Sequence, residues 1–346
     1  MVRSTTESLS ECIRPVLATW WSETGGWSQI PASVLAQIGY TARSDAFIAS
    51  VPAYAGRPRA FIKIFPTAAA LDADCHGLAI GHVAASADRA VRVPTVLRTM
   101  PTERATILEY IPGSPLAALL RRRYLALTGS YLSISRSLGS WLAAFHRAEP
   151  ASATEAEEVL DPHVQRSLKY LSEAGELLGH ERLARARRLL EAIIRNATCR
   201  TAVRVLCHGD FAVYNVLIKQ GQPYVIDFAY ATTAFPEIDL VRFQHSLWMS
   251  IGCLPFSRPA RRAMWSAFVS GYGRDAITGM DRQIWELIEF ELLTEAVALH
   301  RRSVSRSSHR GLWKTFLLRC ALRRLEHWID ERGPTYQLCQ MAKQYE

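Results

Sequence analysis

His208-Gly209-Asp210-Phe211-Ala212-Val213-Tyr214-Asn215, followed by Val225-Ile226-Asp227-Phe228, is the stretch whose reading decides the fold. An Asp, an Asn five residues later and a second Asp twelve after that make a carboxylate–amide–carboxylate set. Phosphoryl transfer needs such a set. One carboxylate orients or deprotonates an acceptor hydroxyl, while the amide and the other carboxylate hold Mg²⁺ against ATP phosphates. These are hard oxygen donors, which suit Mg²⁺ and suit zinc poorly. Val203-Arg204-Val205-Leu206-Cys207 reads as a strand entering the loop. Asn215-Val216-Leu217-Ile218 and Tyr224-Val225-Ile226 read as a hairpin around the turn Gln220-Gly221-Gln222-Pro223. That hairpin brings Asn215 and Asp227 to one metal. The competing reading is a hairpin with incidental acidic residues, and the full spacing on alternating apolar strands disfavours it.

Lysine usage is a second, independent signal. Of 41 basic residues only five are lysines, and Lys63 is the only one in the first 168 residues. It lies in Arg59-Ala60-Phe61-Ile62-Lys63-Ile64-Phe65, an alternating strand after the turn Ala55-Gly56-Arg57-Pro58. A compact ammonium reaches phosphates in a crowded cleft where a forked guanidinium fits poorly. An edge-strand lysine that deters aggregation is the plainer alternative, and position and residue choice together favour the phosphate role.

Composition bounds the rest. A chain of 346 residues, 49% hydrophobic and 21% charged, is ordinary for a globular protein and long enough for two lobes. No apolar run reaches a membrane span, and Met1 to Ser8 lacks the apolar core of a signal peptide. The seven cysteines are scattered without a C-x-x-C pair, which predicts free thiols and a cytoplasmic location. The net charge of +9 is distributed, with Arg121-Arg122-Arg123, Arg301-Arg302 and Arg323-Arg324 on helix faces. That pattern argues for solvated helices rather than a nucleic-acid partner.

The chain resembles the aminoglycoside phosphotransferase and choline kinase family of small-molecule kinases. The motifs that carry the resemblance are His208-Gly209-Asp210 with Asn215, then Ile226-Asp227-Phe228, then Pro236-Glu237-Ile238-Asp239-Leu240. The resemblance covers roughly Val34 to His300. It implies an α+β, bilobal protein-kinase-like fold, with a small antiparallel-sheet lobe and a larger mainly helical lobe. The expected division is residues 1–111, ending in the hinge, and residues 112–346. It further implies ATP and Mg²⁺ as cofactors, Asp210 as the catalytic group, Asn215 and Asp227 as metal ligands and Lys63 on the phosphates. His208 braces the loop, and Asp239 anchors its backbone from behind. In Thr106-Ile107-Leu108-Glu109-Tyr110-Ile111, backbone groups of Glu109 and Ile111 face the adenine edge. Ser44 or Thr41 donates to a phosphate, or the two make an ordinary hairpin turn. Relatives place a Glu on the helix after the lysine strand. This chain has none between Lys63 and Pro94, so Asp74 is the first substitute and Asp72 the next. The short aspartate implies an ion pair that forms only when nucleotide closes the cleft.

Helical spacing is expected from Ser10 to Glu23, from Ala68 to Ala90 with Leu71, Leu78 and Val83 on the apolar side, and from Leu132 to Ala148 with His146 structural. It is also expected from His163 to Asn196 as one stretch, from Trp265 to Tyr272, from Ile284 to His300 and from Trp313 to Glu331. Glu286, Glu289, Glu291 and Glu295 are spread around their helix, which suits a solvated face better than a carboxylate pocket for a cation. Trp248, Trp265 and Trp285 read as core more readily than as a flat site. The acceptor is a small molecule with a hydroxyl: an aminoglycoside, another antibiotic, a sugar or an amino alcohol. The alternative from another class is a nucleotide-binding pseudokinase scaffold, which the intact Asp210, Asn215, Asp227 and Lys63 disfavour. A protein kinase is disfavoured too. The loop lacks the Arg of His-Arg-Asp, and only eight residues separate Phe228 from Glu237.

Overall fold

The computed structural model describes residues 16, 35–40, 45–54, 57–87, 89–123, 129–150, 152–197, 201–252, 254, 257–305 and 311–343. The expected helix Ser10–Glu23 lies outside these residues, apart from Val16. The chain forms two compact units. One takes Met1–Leu116, His208–Asp210 and Asn215–Thr232; the other takes Ala117–Cys207, Phe211–Tyr214 and Thr233–Glu346.

In the first unit, β1 (Leu35–Tyr40), β2 (Asp45–Tyr54), β3 (Arg57–Ile64), β4 (Val96–Met100) and β5 (Ala105–Glu109) form an antiparallel sheet in the order β1-β2-β3-β5-β4. Central β3 pairs on both sides, Lys63 opposing Ala46 on β2 and Thr106 on β5. A central strand leaves no ladder edge there, so Lys63 is not an edge guard. Helix α1 (Ala68–Ala87) follows. Leu71 and Leu78 are buried, but Val83 is 57% exposed. The apolar-side expectation fails at Val83 because five residues past Leu78 turn a helix about 500°, well off the buried stripe. β6 (Ser114–Pro115), β9 (Val216–Lys219) and β10 (Gln222–Val225) make a small second sheet.

The second unit is mainly helical. Its sheet is β11 (Thr232–Ala234), β8 (Thr201–Cys207) and β7 (Ser152–Glu155). The helices are α2 (Leu116–Arg123), α3 (Gly129–Arg147), α4 (Ala156–Leu178), α5 (His180–Ala197), α6 (Glu237–Leu247), α7 (Ser257–Tyr272), α8 (Arg274–Thr278), α9 (Arg282–Ser305) and α10 (Gly311–Lys343). The single stretch expected from His163 to Asn196 is two helices. Gly179 breaks it with φ of 75°, a left-handed bend that glycine takes without a Cβ penalty. The core is built from Leu171, Leu189, Ile193, Phe290, Leu293 and Leu325, with neighbours on α4, α5, α9 and α10. Among the described residues, no helix is long and apolar enough to cross a membrane.

The four α9 glutamates do not form a solvated face. Glu291 is 1% exposed and bonds His163 Nδ1 and Arg166 Nε, each at 2.5 Å. Glu289 takes Trp328 Nε1 and Arg332, and Glu286 takes Arg282. Buried carboxylates persist only with such partners. Trp248, Trp265 and Trp285 are packing residues: Trp265 stacks on Phe268 with centroids 5.4 Å apart and meets Trp285 edge-on.

Candidate active site

The site grows from one hairpin and one strand of the first unit. β9 and β10 pair with Val216 opposite Val225 and Lys219 opposite Gln222, a two-residue turn of Gln220-Gly221. Both turn residues have positive φ, 52° and 80°, the pattern of a type I′ hairpin. Gln222 and Pro223 therefore belong to the strand rather than the turn. The ladder continues one step as the Ile226 amide donates to Asn215 O at 3.0 Å, which sets Asp227 beside the Asn215 end of the hairpin.

Asn215 is buried and points its amide at Asp210, donating to the backbone O and to Oδ2, each at 2.9 Å. A carboxylate only accepts, so the amide nitrogen must face Asp210 and the carboxamide oxygen faces elsewhere. His208, buried beneath the loop, accepts from the Asp210 amide through Nδ1 and donates from Nε2 to Ile226 O at 3.1 Å. Its ring also packs on Phe228, centroids 4.6 Å apart. Gly209 has φ of 78°, and a Cβ there would lie 2.2 Å from Tyr230 O. No other residue fits between His208 and Asp210, a requirement the motif reading left unexplained.

Lys63 connects the remaining carboxylates. Its Nζ is 2.7 Å from Asp74 Oδ1 and 2.8 Å from Asp227 Oδ1, and it lies over the Phe65 ring. Burial alone would lower the lysine's pKa, but the charges and hydrogen bonds of the two aspartates outweigh it and raise it. Burial pushes Asp227 up as well. The Lys63 charge and hydrogen bond, helped by the Ala229 amide, reverse that and hold it below the carboxylate range. Asp74 differs: burial wins over Lys63 and raises its pKa, and its Oδ2 is buried without a hydrogen-bond partner. Asp227 has φ of 69°, a left-handed conformation uncommon for non-glycine residues and adopted most readily among them by Asn and Asp.

The Lys63–Asp74 pair is already made, contrary to the expectation that it waits for nucleotide; Asp72 is exposed and takes no part. The reason lies one and two turns further along α1. Gly77 and Gly81 share Asp74's face, and a Cβ on Gly77 would lie 2.8 Å from Ala231 Cβ and 2.9 Å from Phe228 Cβ. On Gly81 it would lie 3.1 Å from Phe228 Cζ. Without side chains there, the helix packs close to the Asp227-Phe228 segment, and the shorter acid reaches. The signal was present in the sequence as two glycines four apart following Asp74.

Other expected residues fall as follows. Ser44 and Thr41 lie outside the described residues. The Glu109 amide is engaged by Thr95 O at 2.8 Å and its side chain by the Thr95 hydroxyl at 3.0 Å. The Ile111 carbonyl accepts from Gly113 at 2.8 Å. Asp239 is in the second unit, fully buried and bonded to His146 Nε2 at 3.1 Å, while His146 Nδ1 meets the Tyr272 hydroxyl at 2.9 Å. His146, Cys207 and Asp239 have donor atoms within 4.8 Å of one another, the only such cluster among the described residues. It does not suit a metal: both ring nitrogens are engaged, and burial pushes the Cys207 thiol well above its ordinary value, away from thiolate.

A divalent ion fits the Asp227–Asn215 end of the hairpin. Asp227 is held ionised, the Asn215 oxygen faces away from Asp210, and both are hard donors.

Residues 49–279 match the model of the APH family, described as the phosphotransferase enzyme family. Among solved structures, a glucosamine kinase in complex with glucosamine, ADP and inorganic phosphate aligns with TM-score 0.54 at 17% identity, over 90% of this chain and 84% of that one. The GDP and kanamycin complex of APH(2")-IIia aligns with TM-score 0.55 at 12% identity, over 91% and 99%. A choline kinase from Cryptosporidium parvum aligns with TM-score 0.52 at 15% identity, over 92% and 97%. No curated protein matches in sequence. The fold is the α+β, protein-kinase-like one shared by these small-molecule kinases, and the chain belongs to the phosphotransferase enzyme family.

Proposed function

We propose that this phosphotransferase moves the γ-phosphoryl group of ATP to a hydroxyl of a small molecule, with Asp210, Asn215, Asp227 and Lys63 as its working residues. The observation that carries the reading is the Lys63 ammonium held between Asp74 and Asp227, at 2.7 and 2.8 Å. A buried ammonium held between one buried and one partly buried carboxylate is costly to assemble, and phosphate binding gives it a use. Asn215 and Asp227 would hold Mg²⁺, which when bound neutralises phosphate charge. Lys63 steadies the phosphates. Asp210, oriented by the Asn215 amide, positions the acceptor hydroxyl and takes its proton late. His208 supports the loop through the Asp210 amide and Ile226 carbonyl. Positioning and charge neutralisation carry most of the rate, as a loose transition state requires. At the hinge, the Ile111 amide and the Glu109 carbonyl are the groups assigned to adenine. We assign nucleotide to residues 1–111 with the hairpin, and the acceptor to residues 112–346.

The test is ADP release against a panel of hydroxylated acceptors. Asp210→Asn should lose at least about 1,000-fold in turnover while its ATP affinity stays within a few-fold. Turnover close to wild type in that variant would remove Asp210 from the mechanism.

A further inference from the structure

The second unit holds a cavity of about 430 Å³, within the range of small-molecule sites. Two helical stripes line it. Arg242, His245 and Ser246 come from α6; Leu292, Ala296 and Leu299 come from α9, spaced four and three apart on one face. Tyr214, the chain neighbour of Asn215, also lines the cavity. Ser246 fixes that loop by accepting the Val213 amide at 3.0 Å.

The charges run against a cationic guest. His245 is driven down to about 3, by burial first and then by Arg324, Arg242 and His300, so it stays neutral. The burial and the neighbouring positive charges that together refuse a proton on imidazole also oppose an ammonium group. Glu295 is the one acid among the lining residues. It already accepts from the Tyr170 hydroxyl at 3.1 Å, and Arg242 offsets its charge. The buried His245 Nδ1 has no hydrogen-bond partner, so nothing stabilises a proton on that ring.

We propose that this cavity takes the acceptor, and that the acceptor is an uncharged, largely apolar alcohol rather than a polycation such as an aminoglycoside. Calling the guest the acceptor rests on the proposed function; the cavity's preference does not need nucleotide to be tested. The experiment is calorimetric titration of hexyl glucoside, choline and kanamycin into nucleotide-free protein, alongside ATP with Mg²⁺. Hexyl glucoside should bind at least roughly tenfold tighter than either cation. Leu299→Glu, at a half-exposed wall position that tolerates a charge, should weaken hexyl glucoside by a similar factor and leave ATP binding unchanged. Tighter binding of choline or kanamycin, no binding of hexyl glucoside, or indifference to Leu299→Glu each overturns the proposal. Failure of ATP to bind would instead overturn the kinase reading and leave the hexyl glucoside result to be judged alone.

Discussion

Lys63 is where charge, reach and shape meet, so single substitutions there separate the arguments. Lys63→Arg keeps the charge, but its fork has to share a buried site sized for an ammonium between Asp74 and Asp227. It should lose about 100-fold in kcat/KM, near 2.7 kcal/mol. Asp74→Asn keeps an acceptor for Lys63 and relieves a carboxylate whose second oxygen is orphaned, so its loss should be smaller, about tenfold. Steady-state kinetics with a turned-over acceptor decides the order; Asp74→Asn as the worse variant would contradict it. Glu237 offers a pH test away from the site. It is 4% exposed, and burial raises its pKa from 4.5 to about 7, against opposing hydrogen bonds from backbone amides including Asp281. The folded state then holds the proton more tightly than the unfolded chain. Its contribution is full below 4.5, declines as pH rises and is lost through 7, about 3 kcal/mol in all. Thermal melts of Glu237→Gln should show a Tm gain of a few degrees at pH 8 and little at pH 4.5. Parallel pH profiles for variant and wild type would refute the assignment.

At the scale of elements, the closeness of α1 to the Asp227-Phe228 segment is the structural adaptation to a short acid. Gly77→Ala puts a methyl 2.8 Å from Ala231 Cβ and 2.9 Å from Phe228 Cβ, atoms fixed to the backbone, so the helix must move outward. Activity should fall at least tenfold, and Asp74→Glu in the same chain should recover part of it, because a longer acid spans the wider gap. Separate and combined variants form a double-mutant cycle, and simple additivity would contradict the coupling. The hairpin and β3 were legible because their signals are local: alternating apolar residues, Gln220-Gly221, and a lysine where arginine is the rule. Val83 was misread because helical periodicity in an alanine-rich segment is weak. Pro223 was read as turn because proline usually interrupts a ladder, yet at this strand it is tolerated opposite Ile218.

Across the molecule, what was legible follows sequence separation. The His208–Asn215 loop, the β9–β10 hairpin and the α+β class are written in neighbouring residues. The α9 glutamates are not: Glu291 finds His163 across 128 positions, and Glu289 finds Trp328 across 39, so nothing nearby marked them as buried. Gly77, Gly81 and Gly209 were visible as letters, but what crowds them is known only once the chain is folded. The central claim is that Asp227 and Asn215 hold Mg²⁺ for ATP while Asp210 serves the acceptor, and calorimetric titration of ATP with and without Mg²⁺ tests it most directly. ATP should bind only with the metal, Asp227→Ala should weaken it more than about tenfold, and Asp210→Asn should leave it nearly unchanged. ATP binding that ignores Mg²⁺ and survives Asp227→Ala would contradict the account.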